Sequence, residues 1–151
     1  MKEEQELYLH KKLDTDQGKY TYFLLAIAAS AIAFAVQITK ESIFELSLIP
    51  LGISVLSWGL SFYCGCQNIR YSNANTIANI DLFRVRDGLD PDVGDNVALK
   101  RVAIDETLLA YDSNSKIICS YNNWQFGLLI LGAISFIFWR LLEMAIRTSI
   151  G

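Results

Sequence analysis

Three long stretches without a charged residue constrain this chain more than any other feature of its sequence. Residues 20–39, 46–69 and 117–139 are uncharged runs of 20, 24 and 23 residues. As α-helices, at about 1.5 Å per residue, these runs are roughly 30 Å long or longer, which matches the hydrocarbon thickness of a bilayer. A helix also satisfies its backbone amides internally where water is absent. The sequence therefore predicts an all-α integral membrane protein with three transmembrane helices.

The uncharged runs divide the chain into five segments. The inner segment has two legs of equal length, on either side of a turn rich in aspartate and glycine at 87–95. Such a composition favours a turn, so we expect an antiparallel helical hairpin between the second and third spans. The predicted segments are an N-terminal arm (1–19), transmembrane helices 1 and 2 (20–64), the hairpin (65–123), transmembrane helix 3 (124–146) and a tail (147–151).

Apolar residues recur along both legs of the hairpin at spacings of three, four and seven. This periodicity is typical of helices that bury one stripe. We expect that stripe to contain Ile69, Ile77, Ile80 and Phe83 in the first leg and Val97, Ile104, Leu108, Tyr111 and Ile118 in the second.

Lysine and arginine are unevenly distributed between the two sides of the membrane. With three spans, the N-terminal arm and the hairpin share a side that carries ten of these residues, against three on the other side. The positive-inside rule then predicts a multi-pass protein of the cell (inner) membrane with a cytoplasmic N-terminus, a cytoplasmic hairpin and an external C-terminus.

Composition excludes several classes of function. A net charge of −3 leaves no basic face for nucleic acid. The chain has a single histidine, His10, in the N-terminal arm, so we expect no catalytic site and no enzyme activity. Cys64, Cys66 and Cys119 lack the spacing and the fourth ligand of a zinc site, so we expect no metal and no cofactor.

Small residues are concentrated in the first span. They form pairs four residues apart, which allow close approach of helices in lipid. The contact is either within one chain or between subunits of a homo-oligomer, and the candidate packing residues are Ala26, Ala29, Ser30 and Ala33.

Hydroxyl groups follow one face of the second span. Such a stripe is compatible with a water-accessible pore wall, although serines also bond back to their own helix. The pore-lining candidates are Ser47, Ser54, Ser57 and Ser61. In the hairpin, amide side chains are candidates for a helix contact, a small-molecule signal or a cytoplasmic protein partner, namely Asn68, Asn75 and Asn79.

Two functions fit this layout. The one that the sequence favours is a small oligomeric membrane pore or membrane-disrupting effector that is gated through its cytoplasmic hairpin. In size and layout the chain is similar to small multi-span effectors encoded beside prokaryotic defence and nucleotide-signalling genes. The other function is a non-conducting membrane anchor or accessory subunit that docks a cytoplasmic partner.

The predicted topology is tested by a cysteine placed in the C-terminal tail. In a variant that lacks the native cysteines, Ser149→Cys should react with a membrane-impermeant maleimide on intact cells, because the positive-inside rule places the tail outside. Labelling that appears only after lysis would contradict this orientation.

Overall fold

The computed structural model of this chain contains three long α-helices. It describes the backbone of residues 2–39, 48–89, 93 and 96–150, and the side chains of 16–39, 48–89, 93, 96–146 and 148. The helices are α1 (Lys2–Ile38), α2 (Ile49–Arg86) and α3 (Val97–Ile150). By length and apolar composition, each helix contains a segment able to cross a membrane. This confirms the predicted all-α class with three potential spans.

The chain divides into two compact units. The first, which we call the three-helix unit, comprises Met1–Cys66 and Asn122–Gly151, and the second, the two-helix unit, comprises Gln67–Tyr121. Ser47 and the aspartates at 90, 92 and 95 of the predicted turn lie outside the described residues.

Specific capping contacts define the two helix ends within the two-helix unit. At the end of α2, Gly88 has a φ of 71°, Gly88 N–H donates to the carbonyl of Val85, and Leu89 N–H donates to the carbonyl of Arg84. This is the Schellman arrangement, in which glycine adopts the left-handed conformation at little steric cost. Before α3, the side chain of Asn96 accepts hydrogen bonds from the backbone amides of residues 98 and 99, as an N-cap does.

The core of the three-helix unit draws on all three helices. Its buried apolar residues are Leu24, Ala28 and Ala35 of α1, Leu51 and Trp58 of α2, and Leu129 and Trp139 of α3. The ring of Phe136 lies 5.6–6.1 Å, centroid to centroid, from three other aromatic rings, those of Phe34, Trp58 and Trp139. These tilted contacts are the preferred geometry of aromatic pairs. Large apolar side chains elsewhere on this unit are exposed, as suits helices surrounded by lipid.

Polar contacts join the helices of the two-helix unit. Asn75 Nδ2 donates to Ser115 Oγ at 3.1 Å, and the rings of Tyr71 and Tyr121 stack 5.9 Å apart. These pairs show that α2 and α3 run in opposite directions within this unit.

The buried apolar stripe predicted for this unit is wrong at most of its positions. Ile69, Ile104 and Ile118 are half-buried, whereas the remaining members are exposed, namely Ile77, Ile80, Phe83, Val97, Leu108 and Tyr111. The buried residues of α2 in this unit are instead Asn68, Asn75 and Val85. Asn75 and Tyr71 contact Ser115 and Tyr121 of α3, so polar and aromatic groups take much of the helix contact and most of the predicted apolar residues lie outside it.

Candidate functional site

Polar side chains occupy the interior of the three-helix unit. Thr21, Ser54, Ser57, Ser61 and Gln125 are all buried, and Ser54, Ser61 and Gln125 are 0% exposed. In a membrane segment, polar groups are generally placed where another helix or a cavity partners them. This polar interior is therefore the candidate functional site.

Two side chains of α2 donate hydrogen bonds to backbone carbonyls of α3. Ser61 Oγ donates to the carbonyl of Gln125 at 2.7 Å, and Trp58 Nε1 donates to the carbonyl of Leu129 at 3.3 Å. The donors are three residues apart on one helix and the acceptors four residues apart on the other. Two hydrogen bonds thus join one turn of α2 to one turn of α3.

Two glycines allow α2 and α3 to approach closely in a reciprocal way. A Cβ built on Gly132 of α3 would lie 2.6 Å from Cδ1 of Trp58, so this glycine makes room for the indole of α2. On α2, a Cβ built on Gly65 would lie 2.6 Å from Nε2 of Gln125 and 2.7 Å from Cδ2 of Leu25. Each helix therefore inserts one large side chain into a gap left by a glycine of the other.

Gln125 also connects α3 to the first helix. Its Nε2 donates to the carbonyl of Thr21 at 3.5 Å, a long hydrogen bond, while Oε1 is buried and has no protein donor. Thr21 Oγ1 donates to the carbonyl of Gln17 in its own helix. A buried acceptor without a donor costs free energy, which a water molecule relieves where space permits.

The predicted serine stripe lies inside this interior rather than on the outer surface of the chain. Ser54 Oγ donates back to the carbonyl of Pro50 at 2.9 Å, which is the local bond expected of a helical serine. Ser57 is buried, and Ser61 bridges to α3. Of these hydroxyl groups, that of Ser61 therefore contributes to the contact between two helices. The role of the stripe as a pore wall stays a prediction.

The predicted small-residue face of α1 lies on the outside of the single chain. Its four members are exposed, namely Ala26, Ala29, Ser30 and Ala33. The alanines that α1 buries are Ala28 and Ala35. The predicted face is therefore not buried against another helix within the described part of the chain. A contact of this face with another subunit stays a prediction.

The amide candidates lie in the two-helix unit. Asn68 and Asn75 are buried and Asn79 is half-buried. Asn75 uses its Nδ2 on Ser115, while its Oδ1 has no partner. The structure therefore gives Asn75 a helix-bridging contact.

Sequence reasoning did not identify Trp58, Gly132 and Gly65 as a contact set. An aromatic residue and isolated glycines within apolar runs do not indicate, in a single sequence, which residues of two helices contact each other. A single sequence gives no pairing signal for Gln125 either, and its insertion opposite Gly65 is seen only in the structure.

The described residues show no arrangement suited to metal chemistry. Within that part of the chain, no group of three or more His, Cys, Asp or Glu side chains lies close enough to hold an ion. Cys64, Cys66 and Cys119 are free cysteines.

The fold and the polar interior are those of a small all-helical protein. Its three helices are long and apolar enough to cross a membrane. Comparisons with protein-family models, curated proteins and solved structures find no match to this chain. The residues of this chain are therefore the basis on which we infer its function.

The glycine gaps lead to a prediction with matched controls on the same helices. Gly65→Ala and Gly132→Ala should each destabilise the protein by about 1–3 kcal/mol, because the added methyl group overpacks against Gln125 or Trp58. Gly59 and Gly127 have no atom within 4 Å of a built Cβ. Alanine at these two positions should be neutral or stabilising, since alanine is the better helix former.

The measurement is thermal unfolding of the purified full chain in detergent. The expected order places both Gly65→Ala and Gly132→Ala below wild type, with Gly59→Ala and Gly127→Ala at or above it. Equal midpoints for all four variants would show that the close approach of α2 and α3 does not contribute to stability.

Proposed function

We propose that this protein is a non-conducting membrane anchor or accessory subunit that presents its two-helix unit to a cytoplasmic partner. In this proposal the three helices cross the cell (inner) membrane. The N-terminus and the two-helix unit lie in the cytoplasm and the C-terminus lies outside. The ten-to-three distribution of lysine and arginine supports this orientation.

One observation carries the choice of a non-conducting role. The serines on the polar face of α2 are buried within their own chain, where Ser54 bonds to its own helix and Ser61 bonds to the backbone of α3. A pore wall needs hydroxyl groups that face water. A hydroxyl group that bonds another helix, as that of Ser61 does, instead acts as one of the polar contacts that join helices in lipid.

The two-helix unit offers the chemistry for docking. Its apolar side chains Ile77, Phe83 and Val102 are exposed, and its helix contact contains the unpartnered Oδ1 of Asn75. Apolar groups on the outside of a segment in water favour a protein partner, while a buried acceptor suits a small-molecule donor. The proposed partners are therefore a cytoplasmic protein or a small-molecule signal, besides the lipid bilayer and further copies of the chain.

An oligomeric pore or membrane-disrupting effector is the second candidate function. Gln125 favours it, because this residue places an unpartnered amide oxygen in the polar interior, among Thr21 and the serines of α2. A rearrangement of the helices that admits water would satisfy that oxygen. In this second proposal the two-helix unit receives a signal that opens the three-helix unit. The protein would then act like the effectors of prokaryotic defence or signalling.

Conductance measurements on the purified full chain in planar bilayers separate the two functions. The anchor proposal predicts no conductance steps. It also predicts that the Ser54→Ala, Ser61→Ala double variant differs from wild type only in stability, by an amount on the order of 1 kcal/mol for the lost interhelical bond.

Conductance steps that disappear in the double variant would contradict the anchor proposal and support the pore, provided that assembly is unchanged. Leu56→Ala is the matched control, because Leu56 is an exposed residue of the same helix. Its conductance should equal that of wild type in either case.

A further inference from the structure

The two-helix unit has two apolar faces that nothing in the described chain covers. On α2, Ile77 is 60% and Ile80 51% exposed, and on α3, Val102 is 56% and Leu109 70% exposed. This unit corresponds to the segment that the sequence predicts to lie outside the bilayer. Apolar faces in water are typical of protein contact surfaces.

The two faces point away from each other. At about 100° per residue, Ile77, Ile80 and Arg84 lie within about 60° of one another on α2, and roughly opposite Asn75, which faces α3. By the same count, Val102, Glu106 and Leu109 lie within about 60° on α3, on the side away from Ser115. A partner that contacts one face therefore leaves the other face free.

Each face also carries a charged side chain. Arg84 lies on the α2 face and Glu106 on the α3 face. Within the described part of the chain, neither forms an ion pair. The two faces are therefore complementary in charge as well as similar in apolar character.

The contacts inside the unit fix the height of each of these residues, by which we mean its position along the direction of the two helices. Asn75 is level with Ser115, because their side chains are hydrogen-bonded. In antiparallel helices of equal rise, a residue nine positions after Asn75 is level with a residue nine positions before Ser115. These residues are Arg84 and Glu106. By the same count Ile80 is level with residue 110, so its height differs from that of Leu109 by one residue, about 1.5 Å.

A rotation about an axis parallel to the helices keeps each residue at its height. Such a rotation brings the α2 face of one copy against the α3 face of the next, with Arg84 opposite Glu106 and Ile80 beside Leu109. Pairing of like faces about the same axis would instead oppose Arg84 to Arg84 and Glu106 to Glu106. Opposite charges favour the first arrangement and like charges disfavour the second.

We propose that the two-helix unit is the assembly surface of a homo-oligomer, in which the α2 face of each copy packs against the α3 face of its neighbour. The contact is heterologous, since it joins two different patches. It closes into a ring if the rotation between neighbouring copies divides a full turn, and it extends into an open row otherwise. This proposal goes beyond the anchor function and holds whether or not the membrane helices conduct.

Disulfide cross-linking of the full chain in its membrane tests the proposal. The background carries serine at Cys64, Cys66 and Cys119. Ile80→Cys and Leu109→Cys are made as single variants, and mild oxidation is followed by non-reducing electrophoresis. The expected result is cross-linked dimers when the two variants are co-expressed and none when either is expressed alone.

The double variant, with Ile80→Cys and Leu109→Cys in one chain, should give a ladder of multimers, because its two cysteines point to opposite sides of the unit. Arg86→Cys is the matched control, since Arg86 is exposed but lies about 120° or more around α2 from Ile77, Ile80 and Arg84. Co-expressed with Leu109→Cys, it should cross-link several-fold less. Dimers from a single variant alone, or no dimers in the co-expressed sample, would overturn the proposal.

A charge exchange tests the register of the same contact. Arg84→Glu and Glu106→Arg should each lower the oligomeric fraction in detergent several-fold, and the two changes combined in one chain should restore it. A combined variant no more oligomeric than either single variant would overturn the Arg84 to Glu106 contact.

Discussion

The reciprocal insertion of Trp58 and Gln125 into glycine gaps is the contact on which the three-helix unit depends. These helices are apolar enough to cross a membrane. In lipid, water exclusion does not drive such helices together, so close packing has to do so. Trp58 against Gly132 and Gln125 against Gly65 bring α2 and α3 within reach. At that separation Ser61 and Trp58 donate hydrogen bonds to the backbone of α3.

The same contact determines the surroundings of the serines. Because α3 approaches this face of α2, Ser54, Ser57 and Ser61 become interior residues. A hydroxyl stripe that resembles a pore wall in the sequence thus becomes part of the helix contact in the structure. The amide of Gln125 extends this polar interior toward α1, where it reaches the carbonyl of Thr21.

The sequence allowed the helices to be predicted but not their contacts. Charge-free runs mark the spans because charge is expensive in hydrocarbon. The turn after Arg86 is marked by Gly88, whose positive φ favours a glycine. The buried faces could not be predicted in the same way. Within lipid, apolar residues are equally suited to the interior and the exterior, so Ala26 and Ala28 are equivalent in sequence although only Ala28 is buried. In the two-helix unit, apolar periodicity marked the exposed side, because Asn75 and Ser115 form the helix contact.

The accessibility of Ser57 to water tests the central claim most directly. In a cysteine-free background and in native membranes, Ser57→Cys is treated with a charged methanethiosulfonate reagent, with Asp87→Cys as an exposed reference. Because α3 covers this face of α2, we expect no reaction of the thiol at position 57 from either side of the membrane, while the reference reacts completely. Reaction at position 57 at a rate close to that of the reference would show that this face of α2 lines a water-filled path, which would contradict the account.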